Sequence, residues 1–213
     1  MDNFSNQIAN IASTYGTDSI FILGKGPSAD LVRPEVYAGS LVIAVNDAER
    51  IAPADITIFH ERWVEAGLEA GGYRSRLYIT SQPDFVPQGR EVIHAPYIPL
   101  TQESSELIMQ RFMSEELVIE DLLFLTALKV ARKVADIRKR PQNVYLIGFD
   151  FNPSAGYSKS IGHDYAPHKE EERAIRISVQ EFYFVNTLYF LRDANITVHH
   201  VGSRAFSALT PAE

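Results

Sequence analysis

Cysteine is absent from this chain, and its absence excludes several kinds of chemistry at once. Without thiols there can be no disulfide bond, no cysteine nucleophile and no zinc–thiolate site. The sequence also lacks any apolar run long enough to cross a bilayer, and its first residues do not resemble a signal peptide. We therefore expect a cytoplasmic protein without a transmembrane segment.

Positive charge is scarce as well. Lysine and arginine number 20 against 27 aspartates and glutamates, which gives a net charge of -7. This acidic balance argues against a broad nucleic-acid-binding surface, so an anionic ligand would need a local cluster of cations. The rest of the composition, 46% hydrophobic and 22% charged over 213 residues, is that of an ordinary globular protein with a substantial core.

Short apolar runs alternate with helical patterns along the chain. Six runs have the β-branched, nearly continuous apolar character of buried parallel strands: 19–23, 41–45, 55–59, 76–80, 143–147 and 196–201. Helical periodicity covers 115–139 and 170–193, and the second of these begins with three glutamates. The alternation predicts an α/β fold with a Rossmann-like, mainly parallel sheet flanked by helices.

Most of the chain is predicted to form one domain. Residues 19–213 make up this single α/β domain, and residues 1–18 are an N-terminal extension that forms either a surface helix or a linker. Residues 81–113 are the least regular part and contain four prolines. A small lid or an edge hairpin is the expectation for them.

The first predicted strand ends at a glycine-rich loop, Gly24-Lys25-Gly26-Pro27-Ser28. The spacing is not that of a P-loop, but residues 24–29 fit the looser G-x-G-x-x-[GA] fingerprint, with Asp47 at the distance of a ribose-binding acid. Pro34 argues against the long helix that should follow such a fingerprint. Two interpretations stay open. The first is a tight turn from strand to helix in which Gly24 and Gly26 supply unusual backbone angles, and the second is a nest of backbone N–H groups that binds phosphate or carboxylate.

Other loops should reach the same edge of the sheet, where open α/β sheets bind ligands. Asn46 and Asp47 follow the second strand. The strand at 143–147 is followed by a loop with a dense set of polar side chains: Asp150, Asn152, Tyr157, His163, Asp164, Tyr165 and His168. This concentration favours a ligand site over a merely solvated loop. His60 either faces the site or packs in the core or at an edge of the fold. Arg204 either pairs with the carboxylate of an anionic sugar or is a surface residue.

Three stretches resemble a known family: ILGKGPSADL (22–31), LVIAVNDAE (41–49), and NVYLIGFDFNPSAGYS (143–158) with PHKEEERAIRISVQEFYFVNTLYFL (167–191). They are similar to the bacterial sialyltransferases of the Campylobacter and Pasteurella–Haemophilus type, over about residues 19–209. The resemblance implies a single nucleotide-sugar domain with a small lid. It also implies metal-independent, inverting transfer of sialic acid from CMP-sialate to a glycan hydroxyl, without a cofactor.

The resemblance also implies roles for individual residues. His168 would be the general base, and Tyr157 would hold the phosphate as it leaves. The implied donor-binding residues are Gly24, Lys25, Gly26, Pro27, Ser28, Asn46, Asp47, Asp150 and Asn152. His163, Tyr165 and Arg204 are further candidates, and no metal ligand is implied.

The chain departs from the family at several positions. Lys25 stands where the family has asparagine, and Asn152 replaces the first of its two phosphate-binding tyrosines. The Thr-Ser-Gly that begins a helix and holds cytosine in the family is absent, since the matching segment here is Leu-Val-Ile-Glu-Asp at 117–121. The nucleotide therefore stays open, and so does the sugar among sialic acid, a related nonulosonic acid and Kdo.

Two other functions stay open. The first is a Mg²⁺-dependent phosphoryl or diphosphoryl transferase, similar to pterin pyrophosphokinase-like proteins, which would bind the metal through Asp150, Asp164 and His163. The second is a non-catalytic module that binds a glycan or nucleotide. The main prediction is a glycosyltransferase of polysaccharide biosynthesis, with a nucleotide-sugar donor and a glycan acceptor as partners. No nucleic-acid partner is expected, and a homo-oligomer is an option.

Overall fold

The protein, in a computed structural model that describes residues 3–100, 104–191 and 195–213, is built around one parallel sheet. Its seven strands are β1 (Ser19–Leu23), β2 (Leu41–Val45), β3 (Ile56–Phe59), β4 (Leu77–Thr80), β5 (Glu91–His94), β8 (Gln142–Ile147) and β9 (Ile196–His200). They lie in the order β5-β4-β3-β2-β1-β8-β9, and every neighbouring pair is parallel. A separate parallel pair is formed by β6 (Tyr97–Ile98) and β7 (Ile119–Glu120). The predicted Rossmann-like α/β class is confirmed.

The described part of the chain has five α-helices beside the sheet: α1 (Asn3–Ala12), α2 (Trp63–Gly71), α3 (Ser105–Met113), α4 (Leu123–Arg138) and α5 (Glu170–Phe190). Within residues 3–100, no α-helix follows β1 directly. Two 3-10 turns, Pro27–Leu31 and Pro34–Tyr37, take that place in the described chain. Each begins with a proline, which fits a first helical position but interrupts a helix that is already formed. The expectation from Pro34 is confirmed.

Both faces of the sheet are buried at β1 to β4, and this explains why these strands are apolar at nearly every position. On β1, Ile20 and Ile22 belong to the large core that includes α1 and α4, while Phe21 and Leu23 belong to a second cluster on the other face. Successive strand side chains point to opposite faces, so neither face tolerates a polar pattern.

The predicted helix at 115–139 is wrong at its start. Ile119 and Glu120 form β7, and the Ile119 N–H donates to the carbonyl of Pro96 at 2.8 Å. The helix begins at Leu123 because pairing with β6, more than twenty residues earlier in the chain, overrides the local periodicity. The other predicted helix is confirmed as α5, and residues 192–193 lie outside the described ranges.

The irregular segment at 81–113 contains β5, β6 and α3. β5 is one of the two edge strands of the main sheet in the described chain, and Leu100, which follows β6, reaches the cavity described below. Residues 101–103 of this segment lie outside the described chain. Its action as a lid stays a prediction.

Candidate functional site

A cavity of about 410 Å³ opens at the carboxyl edge of the sheet, beside the ends of β1, β2, β3 and β8. β1 lies between β2 and β8. The connection after β1 leads to β2, whereas the connection after β8 leads to β9, in the opposite direction along the strand order. Such a topological switch point creates a crevice, and open α/β sheets bind their ligands there. The loops after these strands and the first turns of α4 and α5 line the cavity.

The glycine loop packs directly against the end of β8. The Gly26 N–H donates to the carbonyl of Gly148 at 2.8 Å. A Cβ atom on Gly24 would lie 2.5 Å from that same carbonyl oxygen, and one on Gly26 would lie 1.9 Å from Oδ2 of Asp150. Neither position has room for a side chain, so the glycines are required by close packing of two loops. The tight-turn interpretation assigned unusual backbone angles to them and is wrong on this point, because Gly26 has φ -70° and neither glycine has a positive φ.

The carboxylate of Asp150 already accepts hydrogen bonds in the glycine loop that was predicted to bind an anion. Its Oδ2 accepts hydrogen bonds from the Ser28 N–H at 3.2 Å and from the Ser28 hydroxyl at 3.1 Å. The Ser28 oxygen in turn accepts from the Gly148 N–H at 3.2 Å. Ser28 therefore holds the loops after β1 and β8 together, and its hydroxyl is already bonded to a carboxylate.

Lys25 lies at the centre of a buried cluster. Its Nζ donates to Oδ1 of Asp164 at 2.7 Å and lies 3.2 Å from Oδ1 of Asp47, an ion-pair distance without hydrogen-bond geometry. The Lys25 side chain is 10% exposed and that of Asp47 is fully buried. The ring centroids of Trp63 and Tyr157 are 4.7 and 4.8 Å from Nζ. Burial tends to raise the pKa of Asp164, but the hydrogen bond and charge of Lys25 outweigh it and lower that pKa.

Tyr157, Arg173 and His168 adjoin this cluster. The Arg173 guanidinium carbon lies 5.3 Å from the ring centroid of Tyr157. Burial raises the pKa of Tyr157, so its phenol stays protonated and able to donate a hydrogen bond. His168 lies edge-on to Trp63 with centroids 6.4 Å apart, and its Nδ1 is 4.0 Å from Oε2 of Glu172. Tyr157 and His168, which are eleven positions apart in the sequence, thus line one cavity with Arg173.

Three polar atoms of cavity-lining residues are buried without a hydrogen-bond partner in the described chain: Asn46 Oδ1, Trp63 Nε1 and Arg173 Nε. An unsatisfied buried polar atom costs ~1–3 kcal/mol, so native proteins keep few of them. Two lining residues other than glycine also have a positive φ, Asn46 at 53° and Phe151 at 48°. Unsatisfied groups and unusual backbone in one cavity are typical of a ligand site.

A further set of side chains lines the cavity from the loops after β3 and β7. His60 Nε2 lies 3.8 Å from a carboxylate oxygen of both Glu61 and Asp121. The His60 ring stacks on Tyr97 with centroids 4.0 Å apart, and the Tyr97 hydroxyl donates to Oδ1 of Asp121 at 2.8 Å. Burial lowers the pKa of His60, and the two carboxylates only partly oppose this shift. The imidazole is therefore neutral near pH 7.

Eight predicted site residues line the cavity together: Gly24, Lys25, Gly26, Asn46, Asp150, Asn152, Tyr157 and His168. The others lie elsewhere. Asp47 is buried beneath Lys25, and the rings of His163 and Tyr165 contact each other at 4.5 Å. Arg204 donates from Nε to Glu181 at 2.8 Å and does not line the cavity.

Sequence reasoning missed several lining residues, among them Trp63, Arg173 and Arg176. A signal for each was present. Trp63 is the only tryptophan and lies four positions beyond the third strand, at the ligand edge. Arg173 and Arg176 are three positions apart on a predicted helix, a spacing that places both on one face.

The proposed Mg²⁺ ligands do not come together. Asp150 is bonded to Ser28, Asp164 to Lys25, and His163 contacts Tyr165. Within residues 3–100, 104–191 and 195–213, no group of three or more His, Asp or Glu side chains is arranged to hold a metal ion.

No family model matches this chain, and neither a curated protein nor a solved structure shows significant similarity to it. The resemblance to the bacterial sialyltransferases stays a prediction. Among the described helices, none has both the length and the apolar character needed to span a membrane.

Proposed function

We propose that this protein is a sialyltransferase-like glycosyltransferase that moves an acidic sugar from a CMP-sugar donor to a glycan hydroxyl. The observation that supports the proposal most is the meeting of Lys25, Tyr157, Arg173 and His168 in the cavity at the switch point of the sheet. A cation, a phenol and an imidazole are the groups that a departing phosphate and an attacking hydroxyl require. A cytoplasmic location and a role in polysaccharide synthesis belong to the same proposal.

The donor phosphate is proposed to bind beside Tyr157 and Arg173 rather than on Ser28, because Asp150 already accepts both hydrogen bonds that Ser28 can offer. Lys25 already forms ion pairs with Asp47 and Asp164. Arg173 stacks on Tyr157, so its positive charge is more available to a phosphate in this part of the cavity. The protonated phenol of Tyr157 can donate to the phosphate as negative charge develops on it.

His168 is proposed as the general base. The acceptor oxygen would bond to the anomeric carbon as the bond from that carbon to the phosphate oxygen breaks, and the hydroxyl proton would pass to His168. Glu172, 4.0 Å from Nδ1, would stabilise the imidazolium that results. The scheme balances without a metal ion or a covalent enzyme intermediate.

Nucleotide binding tests the donor half of the proposal. Thermal unfolding is measured with CMP, CDP, UDP, ADP and GDP, each with and without Mg²⁺, since a ligand of the native state raises its apparent stability. We expect a Mg²⁺-independent rise with CMP that Arg173→Gln abolishes. Arg62→Gln is the matched control, because Arg62 is 76% exposed and outside the cavity.

Other outcomes would contradict the proposal. A rise that needs both Mg²⁺ and a diphosphate would favour phosphoryl transfer, and no rise with any nucleotide would leave a glycan-binding module as the better hypothesis. If CMP binds, turnover of CMP-sialate and CMP-Kdo follows. His168→Ala should abolish it with the fold intact, whereas His163→Ala, in an exposed loop, should not.

Self-association is the remaining part of the proposal. Several large apolar side chains on α5 are exposed: Ile175, Phe182, Val185, Tyr189 and Phe190. Contact between such faces would remove apolar area from water. Light scattering over a range of protein concentrations tests this, and a constant monomer mass would contradict it.

A further inference from the structure

One group of cavity-lining side chains has no part in the chemistry proposed above: His60, Glu61 and Asp121. The His60 ring is held flat on Tyr97, with 8° between the ring planes, and Tyr97 is fixed by its hydrogen bond to Asp121. Neither ring nitrogen of His60 has a hydrogen-bond partner within the described residues. The carboxylates of Glu61 and Asp121 are 3.8 Å from Nε2, too far for a hydrogen bond. Within the described residues, the ring nitrogens of His60, the Glu61 carboxylate and Oδ2 of Asp121 therefore remain available to a ligand, whereas Oδ1 of Asp121 is bonded to Tyr97.

The charges on this group decide which ligand it suits. The groups that face His60 are the carboxylates of Glu61 and Asp121, the Tyr97 hydroxyl and the Arg176 guanidinium. Ionised carboxylates only accept hydrogen bonds, and they repel phosphates and other carboxylates. A neutral molecule with several hydroxyl groups can donate to them, and Arg176 and His60 can bond to its oxygens.

We infer that His60, Glu61 and Asp121 form an acceptor subsite for a neutral, hydroxyl-rich sugar. The donor, which is anionic, would occupy the part of the cavity around Lys25 and Arg173. The role of this subsite in binding an acceptor rests on the proposed function, but binding of a neutral sugar there can be measured whether or not the protein is a transferase. Glu61 and Asp121 would then be the residues that select against acidic acceptors.

A matched pair of sugars tests the inference. Methyl β-galactoside and methyl β-galacturonide differ only in the neutral or ionised group at C6, and saturation-transfer NMR measures the binding of each to the full chain. We expect the galactoside to bind about tenfold more tightly than the galacturonide. This ratio corresponds to roughly the binding free energy of one charge-assisted hydrogen bond. Glu61→Gln and Asp121→Asn should each weaken galactoside binding and reduce the ratio of the affinities for the galactoside and the galacturonide.

The variants are chosen to keep the fold. The Glu61 side chain is 36% exposed, and an asparagine at 121 retains the oxygen that accepts from Tyr97. Glu65→Gln is the matched control, because Glu65 lies in the first turn of α2, four positions after Glu61, and outside the cavity. It should bind both sugars as the unmodified protein does.

Three results would overturn the inference: no galactoside binding, equal or tighter binding of the galacturonide, or binding unaffected by both Glu61→Gln and Asp121→Asn. Nucleotide binding by the same variants separates this inference from the proposed function. Loss of sugar binding with CMP binding retained supports two distinct subsites. Sugar binding that depends on Glu61, in a protein that binds no nucleotide, would retain the subsite and reject the transferase.

Discussion

At the scale of single residues, two glycines decide the shape of the cavity, because neither has a side chain. Gly24 and Gly26 allow the loop after β1 to touch the loop after β8, and Asp150 lies where a side chain on Gly26 would be. This contact brings Lys25 beside Tyr157 and Trp63. The position of Lys25 at the site thus depends on two residues that have no functional group.

Replacement of Gly26 by alanine tests this dependence. The new Cβ would be 1.9 Å from Asp150 Oδ2 and 2.7 Å from the Gly148 carbonyl oxygen, so the loops must separate. We expect Gly26→Ala to lower the free energy of unfolding by ~1–3 kcal/mol, as overpacking of a tight contact does. Urea unfolding measures it. Gly16→Ala is the control, since no atom lies within 4 Å of its added Cβ, and an equal loss there would contradict the argument.

At the scale of elements, α4 is the main support of the sheet. It contacts β1, β2, β3 and β8, and its Leu128 is fully buried. Leu128→Ala should cost ~2–5 kcal/mol, because a buried cavity would replace the lost side chain. Leu107→Ala in α3 is the matched control, since Leu107 is 44% exposed, and its cost should be below about 1 kcal/mol. Denaturant unfolding distinguishes the two, and similar losses would contradict the buried role of α4.

The loop between β8 and α5 is fastened to the rest of the protein by Arg50. This side chain donates to the carbonyls of Ile161 and His163 and, at 2.8 Å, to the Asp47 carboxylate. The loop contains Tyr157, so its attachment fixes one wall of the cavity.

Arg50→Ala should therefore loosen the loop while leaving the sheet intact. Loss of two hydrogen bonds to the loop, each worth roughly 1 kcal/mol, should speed amide exchange in residues 156–168 by about tenfold or more. Hydrogen-exchange mass spectrometry measures it. Peptides from β1 and β2 should keep their rates, and Arg62→Ala, which removes an exposed arginine, should change neither. Unaltered exchange of 156–168 in Arg50→Ala would show that Arg50 does not hold the loop.

At the scale of the whole molecule, buried histidines should make stability depend on pH. His200 is 1% exposed, its Nε2 donates to the Phe149 carbonyl at 2.7 Å, and its Nδ1 accepts from the Ser207 hydroxyl at 2.9 Å. Burial lowers the pKa of His200, although the bond to Phe149 opposes the shift. The unfolded chain therefore binds more protons below about pH 6.5, the ordinary histidine value, and stability must fall there as the pH falls.

We expect the free energy of unfolding to be highest above about pH 6.5 and to decrease towards pH 5, with at most ~1.4 kcal/mol per pH unit from each such histidine. The lowered pKa of His60 acts in the same direction. His200→Gln should reduce the slope, and His163→Gln, in an exposed loop, is the control. Urea unfolding at several pH values measures it, and a slope unchanged by His200→Gln would contradict the assignment.

Several features were predictable from the sequence because they depend on local pattern. β1 and β2 lie at the predicted positions, since burial on both faces requires a continuous apolar run. Pro34 correctly excluded a long helix after β1. The start of α4 was not predictable in this way, because β7 pairs with a strand that is distant in the sequence.

The sequence by itself therefore determined the class of fold, six strands of the main sheet, and the loops that reach one edge of that sheet. Only the tertiary structure decided which side chains meet. It bonds Asp150 to Ser28, pairs Lys25 with Asp164, and brings Trp63 beside His168. The physical reason is that strand positions follow from local burial, whereas contacts between loops depend on strand order and on distances of a few ångströms, which local pattern does not encode.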